Sequence, residues 1–280
     1  MKHSKHYETT TLVEAGVSVL LTGERGTGKT TLVKDVANTL NLTFFSMSMT
    51  RQTTLSHLLG FMNVNGIYIP SQLRTAAESG GVFLLDEIDA SDPNVILCLN
   101  TIENGYIAFP DKVVDIHADF RLLATSNPQD NHRDYNGRAK LDAATLDRFD
   151  IINIEKDDIL EQSLVDFHTY SHIELVRECL EEVNSPVYIS MRDSIRFQKR
   201  KELGLLDSFV ERLLSKETLA LEKYEARKSK IPKVRNVDEC KTLLDVWEHV
   251  SEVETTTTET NSTSHSQESP YKDFDESIPF

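Results

Sequence analysis

The sequence has few cysteines, fewer basic than acidic residues, and no long apolar run. The three cysteines, Cys98, Cys179 and Cys240, stand far apart in 280 residues, so buried or idle thiols of a reducing compartment are expected. Lysine and arginine total 30 against 45 acidic residues, a formal charge of −15. This balance argues against bulk nucleic-acid binding, which needs clustered basic side chains, and leaves only a local basic surface open. Because no signal peptide and no run of about 18 apolar residues occurs, we expect a cytoplasmic protein without a membrane span.

The first half of the chain alternates short apolar runs with helical patterns. Such alternation is typical of βαβ units, in which helices connect neighbouring parallel strands. We therefore predict an α/β core, a parallel αβα sandwich, over residues 1–155. The runs predicted to form its strands are Val17–Leu21, Thr43–Ser46, Val82–Leu85, Phe120–Thr125 and Ile151–Ile154.

The amino-acid composition of the remaining chain changes twice, at residues 251 and 273. Residues 156–250 place apolar side chains at helical spacing, with one strand-like stretch at Val187–Ile189, and predict an all-helical second domain. Residues 251–272 are polar, repetitive and almost free of large apolar side chains, which predicts a disordered linker. Residues 273–280 again contain aromatic and acidic side chains, and we predict that they form a separate interaction tip.

A glycine-rich loop follows the first predicted strand. The spacing G-x-x-x-x-G-K-T occupies residues 23–30, and a helical pattern comes directly after it. Glycines let backbone N–H groups surround phosphates, and the positive end of the helix faces them. Lys29 is predicted to reach the β- and γ-phosphates of ATP, and the Thr30 hydroxyl to ligate Mg²⁺. The residues predicted to bind the nucleotide are Gly23, Glu24, Arg25, Gly26, Thr27, Gly28, Lys29, Thr30 and Thr31.

Two further strand ends carry the residues expected of an ATP hydrolase. Val82–Leu85 runs into Asp86, predicted to hold Mg²⁺ through water, and Glu87, predicted to polarise the attacking water. These roles suit ATP hydrolysis, which depends on positioning and charge stabilisation. Phe120–Thr125 leads to Asn127, whose amide is predicted to bond the γ-phosphate or the water. Each feature is common alone, but their order along the chain predicts an ATPase.

These motifs resemble those of the AAA+ superfamily. Four stretches are similar to its MoxR-type branch, and more narrowly to the ATPase subunit of aerobic cobaltochelatase (the CobS type) and its phage-borne relatives. The resemblance covers about residues 17–230 and implies a ring, hexameric in such relatives, with a helical lid. One departure is Arg25, which stands where many relatives have proline. The stretches are GIYIPSQLRTAAESGGVFLLDEIDASDPNVILCLNTIENG, FPDKVVDIHADFRLLATSNP, DYNGRAKLDAATLDRFDII and ISMRDSIRF.

The resemblance implies roles for three polar side chains. Asn127 matches sensor 1, and Arg192 matches the sensor 2 arginine that reads the nucleotide from the lid of the same subunit. Arg148 matches the arginine finger that reaches the neighbouring subunit, and a rigid guanidinium fork suits phosphoryl oxygens. A salt bridge of Arg148 with Asp147 or Asp150 is the alternative. Arg138 and Arg196 are reserve candidates.

Substrate contacts have few candidate locations. About sixteen residues precede the first predicted strand, so no N-terminal recognition domain is expected. The candidates are the insert at Thr53–Pro70, the predicted hairpin at Gly105–Asp119, the tail, or a partner protein.

The last eight residues, DFDESIPF, resemble the C-terminal tip of bacterial single-stranded-DNA-binding protein (SSB), with six of eight positions matching. The terminal phenylalanine offers a side chain for an apolar pocket and a carboxylate for an arginine, while the acids allow steering by basic rim residues. The likeness implies docking onto replication and repair proteins that read SSB tips. The alternative is a solvated acidic tail. The residues expected to contact the partner are Asp273, Phe274, Asp275, Ile278, Pro279 and Phe280.

We therefore predict a ring-forming ATPase that remodels a protein or protein–DNA assembly in a bacterial or phage-infected cell. A second hypothesis is a chelatase-like motor that drives a partner with a von Willebrand A domain. A third is an interaction protein that competes for SSB-binding pockets and uses its nucleotide site as a switch. A processive helicase is a fourth, which the net charge disfavours.

Overall fold

Short strands alternate with helices up to residue 153, and the elements of the described chain after that residue are all helical. The computed structural model describes residues 1–128, 141 and 143–231, without the side chains of residues 144 and 206–208. These residues belong to one unit, Met1–Pro232. The strands are β1 (Val19–Thr22), β2 (Phe44–Ser48), β3 (Phe61–Met62), β4 (Tyr68–Ile69), β5 (Gly81–Asp86), β6 (Tyr106–Ala108), β7 (Val113–Asp115), β8 (Phe120–Ser126) and β9 (Asp150–Asn153).

Helices precede, connect and follow these strands. The α-helices are α1 (His6–Glu14), α2 (Lys29–Thr39), α3 (Leu55–Leu59), α4 (Gln72–Ser79), α5 (Pro93–Ile96), α6 (Ala143–Leu146), α7 (Asp158–Leu164), α8 (Phe167–Glu182), α9 (Met191–Glu202), α10 (Leu206–Leu213) and α11 (Thr218–Arg227). Two of them, α5 and α11, continue as 3₁₀ segments at Leu97–Asn104 and Lys228–Lys230, and another 3₁₀ turn lies at Ile88–Ala90.

Five strands form one parallel sheet in the order β2-β5-β8-β1-β9. Successive side chains of a strand point to opposite faces. In β5, Val82 and Leu84 therefore pack in the cluster that contains Leu32 of α2, while Phe83 and Leu85 pack in the cluster on the other face. Because both faces are covered, β5 is apolar from Val82 to Leu85.

The predicted α/β fold is confirmed, since each of the five predicted runs forms a strand of this sheet. The strand ends differ from the predicted ones by at most two residues. The strand-like stretch Val187–Ile189 forms no strand, in keeping with the predicted all-helical character of this region. These residues form the extended connection into α9, where the Ile189 carbonyl accepts a hydrogen bond from the Arg177 guanidinium at 3.0 Å.

Helix α1 was not predicted from the sequence. Its buried residues are His6, Thr9 and Val13, of which only one is apolar, so the helix lacks the apolar stripe that marks an amphipathic helix. The Thr9 hydroxyl bonds the Lys5 carbonyl at 2.8 Å, and this local bond helps to bury a polar side chain.

Two small antiparallel hairpins, β3–β4 and β6–β7, lie where the sequence placed the insert and the second hairpin. Arg74 of α4 is buried between them and forms two hydrogen bonds to Asp111, at 2.8 and 3.2 Å. Its guanidinium also lies over the rings of Tyr68 and Phe109. One side chain thus contacts both hairpins. The apolar side chains exposed on β3–β4 are Phe61, Met62, Val64, Ile67 and Ile69.

Helices α8 to α11 enclose a separate apolar cluster, which includes Phe197 and Tyr224. His172 is buried there, and one of its ring nitrogens lies 2.8 Å from the Tyr224 hydroxyl. Within the described ranges, no helix is both long and apolar enough to span a membrane. The predicted linker and the tip residues lie outside the described part of the chain.

A candidate nucleotide-binding and hydrolysis site

The carboxyl ends of β1, β5 and β8 meet at one edge of the sheet, where ligands bind in open α/β folds. The loop at residues 23–28 follows β1, Asp86 ends β5, and Asn127 follows β8. Together with the start of α9 they border an open cleft, whose empty volume is about 550 Å³ with the adjoining solvent included. The cleft is lined by Arg25, Gly26, Gly28, Lys29, Thr30, Thr31, Asp86, Glu87, Thr125, Ser126, Asn127 and Arg192.

The phosphate loop has the backbone that its glycines permit. Gly26 and Gly28 have φ values of +77° and +91°, in the left-handed region that favours glycine. Gly28 directly precedes α2, so the positive end of this helix faces the cleft. The Thr27 hydroxyl is buried and bonds the Glu24 carbonyl at 2.9 Å, which closes the loop on itself.

The Lys29 side chain forms hydrogen bonds to the backbone of the phosphate loop. Its ammonium group donates to the Gly23 carbonyl at 2.5 Å and to the Glu24 carbonyl at 2.9 Å. Burial lowers the pKa of Lys29 to about 8, although nearby carboxylates, Asp86 first among them, oppose this shift. A partly desolvated ammonium group is suited to receive the negative charge of a phosphate.

Asp86 and Glu87 lie between the first turn of α2 and strand β8. The Thr30 hydroxyl lies 3.1 and 3.2 Å from the two carboxylate oxygens of Asp86. The Thr125 hydroxyl donates to Asp86 Oδ1 at 2.6 Å and accepts the Glu87 N–H at 2.9 Å. Glu87 has a φ of +60°, which is uncommon for a residue with a side chain and is found at functional sites.

Asn127 and Arg192 enter the cleft from β8 and α9. Asn127 is buried, and the preceding Ser126 carbonyl accepts the Gly23 N–H at 3.3 Å, which joins β8 to the phosphate loop. Arg192 lies in the first turn of α9, which Ser190 and Asp193 cap reciprocally. The cap fixes where the helix begins and therefore where Arg192 stands.

Arg148 lies near the amino ends of the strands, at the opposite end of the sheet from the cleft. It precedes β9, whose first residue, Asp150, pairs with Val19 at the beginning of β1. Its side chain is partly buried, and Nε lies 3.7 Å from a carboxylate oxygen of Glu103, a partner that the sequence analysis did not name. Of the reserve candidates, Arg196 is exposed and paired with Asp193, and Arg138 lies outside the described residues.

Sequence reasoning located most of the cleft. The lining residues to which it gave no role in the site are Thr125 and Ser126. The available signal was their position at the carboxyl end of a strand predicted to reach the site. The tip residues are beyond the described chain, so the structure does not bear on them.

Comparison with known proteins agrees with this geometry. Residues 18–149 match the family described as AAA domain (dynein-related subfamily). The chain is 26% identical to midasin of Giardia intestinalis over 202 residues, 64% of the chain and 4% of midasin. It is 26% identical to the aerobic cobaltochelatase subunit CobS of Sinorhizobium sp. over 166 residues, 52% of the chain and 49% of CobS. Thus the chain spans about half or less of these two relatives.

Among solved structures, a provisionally named ATPase of Cytophaga hutchinsonii is similar, with a TM-score of 0.46 and 22% identity over 71% of this chain and 58% of that one. Residues 18–149 are similar to an AAA domain, and this similarity supports nucleotide binding and ATPase activity in general terms.

The residues of the cleft fit both a nucleotide phosphate and a divalent cation. The helix start and the Lys29 ammonium group supply positive charge for phosphates. The Thr30 hydroxyl and the Asp86 carboxylate, in contact at 3.1 Å, are the oxygen ligands that Mg²⁺ prefers beside phosphates.

Proposed function

We propose that the protein binds Mg·ATP in this cleft and hydrolyses it. The observation that carries the proposal is the convergence of Lys29, Thr30, Asp86, Glu87 and Asn127 at the carboxyl edge of one sheet. Each side chain has a chemical property that phosphoryl transfer to water requires. Chance convergence of these types, at the end of three separate strands, is a poor explanation.

Each residue has a distinct part in hydrolysis. Lys29 exchanges its bonds to loop carbonyls for bonds to the β- and γ-phosphates, and Thr30 and Asp86 hold the metal ion. The metal, when bound, neutralises charge that develops on the phosphoryl oxygens. Glu87 orients the attacking water and accepts its proton, and Asn127 helps to place that water. Arg192 donates to the phosphate oxygens from the lid.

We further propose that the active form is a ring of identical subunits, hexameric as in similar proteins. Arg148 precedes β9 and Lys29 follows β1, and the four paired residues of these strands separate the two ends by about 10 Å. Arg148 is thus remote from its own cleft, and a neighbouring subunit is the partner that its guanidinium would serve. A ring would then be needed for full activity.

The first test is hydrolysis by purified protein. Wild type is expected to release phosphate from ATP only with Mg²⁺. Glu87→Gln should keep nucleotide affinity and lose at least a hundredfold in turnover, about the effect of removing one key catalytic group. Lys29→Ala should weaken binding itself. Equal turnover of wild type and Glu87→Gln would refute the assignment.

The biological role that we propose is remodelling of a protein or protein–DNA assembly, with recruitment through residues 273–280. The support is the likeness of DFDESIPF to the SSB tip and the physical fit of an apolar, acidic segment to a basic-rimmed pocket. Deleting Phe280 should abolish capture of SSB-binding exonuclease, helicase or primosome proteins. Identical capture by both forms would remove the tip from the proposal.

A chelatase-like motor is the second candidate, and the similarity to CobS favours it. It gives the tip no role and requires a partner with a von Willebrand A domain. Stimulation of ATP hydrolysis by such a partner, with Phe280 dispensable, would select this candidate. Very slow turnover by an assembled ring would instead favour an interaction protein whose nucleotide site is a switch.

A further inference from the structure

The Thr125 side chain lies between the two acidic residues of the cleft. It is the penultimate residue of β8 and only 1% exposed. Its hydroxyl is 2.6 Å from Asp86 Oδ1 and 2.9 Å from the Glu87 backbone nitrogen. A carboxylate oxygen only accepts a hydrogen bond, and an N–H group only donates one. The single proton of the Thr125 hydroxyl therefore points to Asp86, and a lone pair of the hydroxyl oxygen accepts the Glu87 N–H.

These two bonds act on different properties of the acids. The bond to Oδ1 fixes the rotation of the Asp86 carboxylate, which the Thr30 hydroxyl also contacts. The bond from the Glu87 N–H supports a backbone with φ of +60°. Such a backbone persists only where its surroundings determine it. Asp86 is further anchored by its carbonyl, which accepts the Met49 N–H at 2.8 Å, so Thr125 governs the orientation of the side chain.

We propose that Thr125 is a positioning residue that sets both acids at once: the carboxylate of Asp86 for Mg²⁺, and the backbone of Glu87 for the attacking water. The inference rests on the proposed ATPase function and deepens it. Positioning of both acids requires a hydroxyl group at position 125, whereas the methyl group of the threonine side chain is dispensable. Strand β8 therefore contributes to the metal side of the cleft through Thr125 and to the phosphate side through Asn127.

Thr125→Val removes the hydroxyl and keeps the β-branched shape, whereas Thr125→Ser keeps the hydroxyl and removes the methyl group. Thr169→Val is the matched control, because Thr169 in α8 is also fully buried and its hydroxyl has no hydrogen-bond partner among the described residues. Thr125→Cys, with a weakly bonding thiol of similar size, replaces the valine variant if that variant does not fold.

Two readouts separate positioning from general damage. The first is affinity for a fluorescent ATP analogue with Mg²⁺ and with EDTA, and the second is the kcat of ATP hydrolysis. Thr125→Val should bind as wild type does in EDTA, lose about ten- to a hundredfold of the affinity gained from Mg²⁺, and lose a similar factor in kcat. Thr125→Ser should stay within about threefold of wild type, and Thr169→Val should change neither readout.

Some outcomes would overturn the inference. A wild-type magnesium response in Thr125→Val would show that the hydroxyl does not position Asp86. Equal losses in Thr125→Val and Thr125→Ser would assign the effect to shape. Failure of the wild-type protein to hydrolyse Mg·ATP would instead refute the proposed function, and the binding comparison in Mg²⁺ and EDTA would still decide the role of Thr125.

Discussion

At the scale of single residues, Gly26 joins the phosphate loop to the first turn of α9. It combines a φ of +77° with close packing, since a Cβ atom added there would lie 2.6 Å from both Cβ and Oγ of Ser190. Any side chain would therefore strain the loop and push it away from the residue that caps α9. The contact places Arg192, two residues later, beside the phosphate loop.

Gly26→Ala is expected to weaken ATP binding at least tenfold and to lower the free energy of unfolding by more than the roughly 1–2 kcal/mol of left-handed strain alone. Gly66→Ala is the matched control, because Gly66 has a φ of +71° and nothing within 4 Å of an added Cβ. The measurements are equilibrium nucleotide binding and thermal unfolding. Equal effects of the two substitutions would mean that the packing against Ser190 is unimportant.

At the scale of elements, a buried ion pair connects three of the C-terminal helices. Glu161 of α7 is fully buried, and Arg177 of α8 binds both of its carboxylate oxygens, at 2.9 and 2.7 Å. The Ser194 hydroxyl of α9 donates to the same carboxylate. Burial opposes the charge of Arg177, but the bonds to Glu161 outweigh it and raise the pKa of the guanidinium.

Arg177→Met should lower the free energy of unfolding by about 3–5 kcal/mol, because it leaves the Glu161 carboxylate buried without its main partner. Arg227→Met is the control for the same chemical change in a surface ion pair with Glu182, where the loss should be much smaller because solvent screens the charges. For a chain of this size, 1 kcal/mol corresponds to about 2–4 °C in Tm. A small Tm change in Arg177→Met would show that the buried pair is energetically neutral.

At the scale of the whole molecule, the position of Arg148 bears on the proposed ring of subunits. Its guanidinium group stands beside Glu103 at the amino edge of the sheet, away from the cleft of its own chain. The strand direction decides this separation, and a side chain cannot span it. A free subunit would therefore lack one of the groups proposed for catalysis.

Arg148→Ala alone should hydrolyse ATP at least tenfold more slowly than wild type. Mixed with Glu87→Gln subunits, it should recover measurable turnover, because intact Glu87 sites then meet intact Arg148 side chains across interfaces. Arg196→Ala, at an exposed residue paired with Asp193, serves as the control and should keep full activity. If mixing restores no turnover although light scattering shows that the rings still form, Arg148 acts within its own subunit.

The sequence by itself determined the fold class and most of the cleft. Buried parallel strands are continuous apolar runs, and β5 at Gly81–Asp86 is such a run, so local composition identifies it. The phosphate loop is similarly local, since its glycines, Lys29 and Thr30 act within eight consecutive residues. Asp86 and Asn127 were found because each stands at or just after the end of an apolar strand run and follows the phosphate loop in the order expected of an ATP hydrolase.

Only the tertiary structure decided which side chains touch across that edge. Thr125 is an ordinary threonine in the sequence, and its two bonds depend on the register Leu85↔Ala124 between β5 and β8. Helix α1 was not predicted because most of its buried residues are polar. The separation of Arg148 from its own cleft follows from the pairing Val19↔Asp150. These features depend on contacts between residues distant in sequence, which periodicity and motif spacing do not encode.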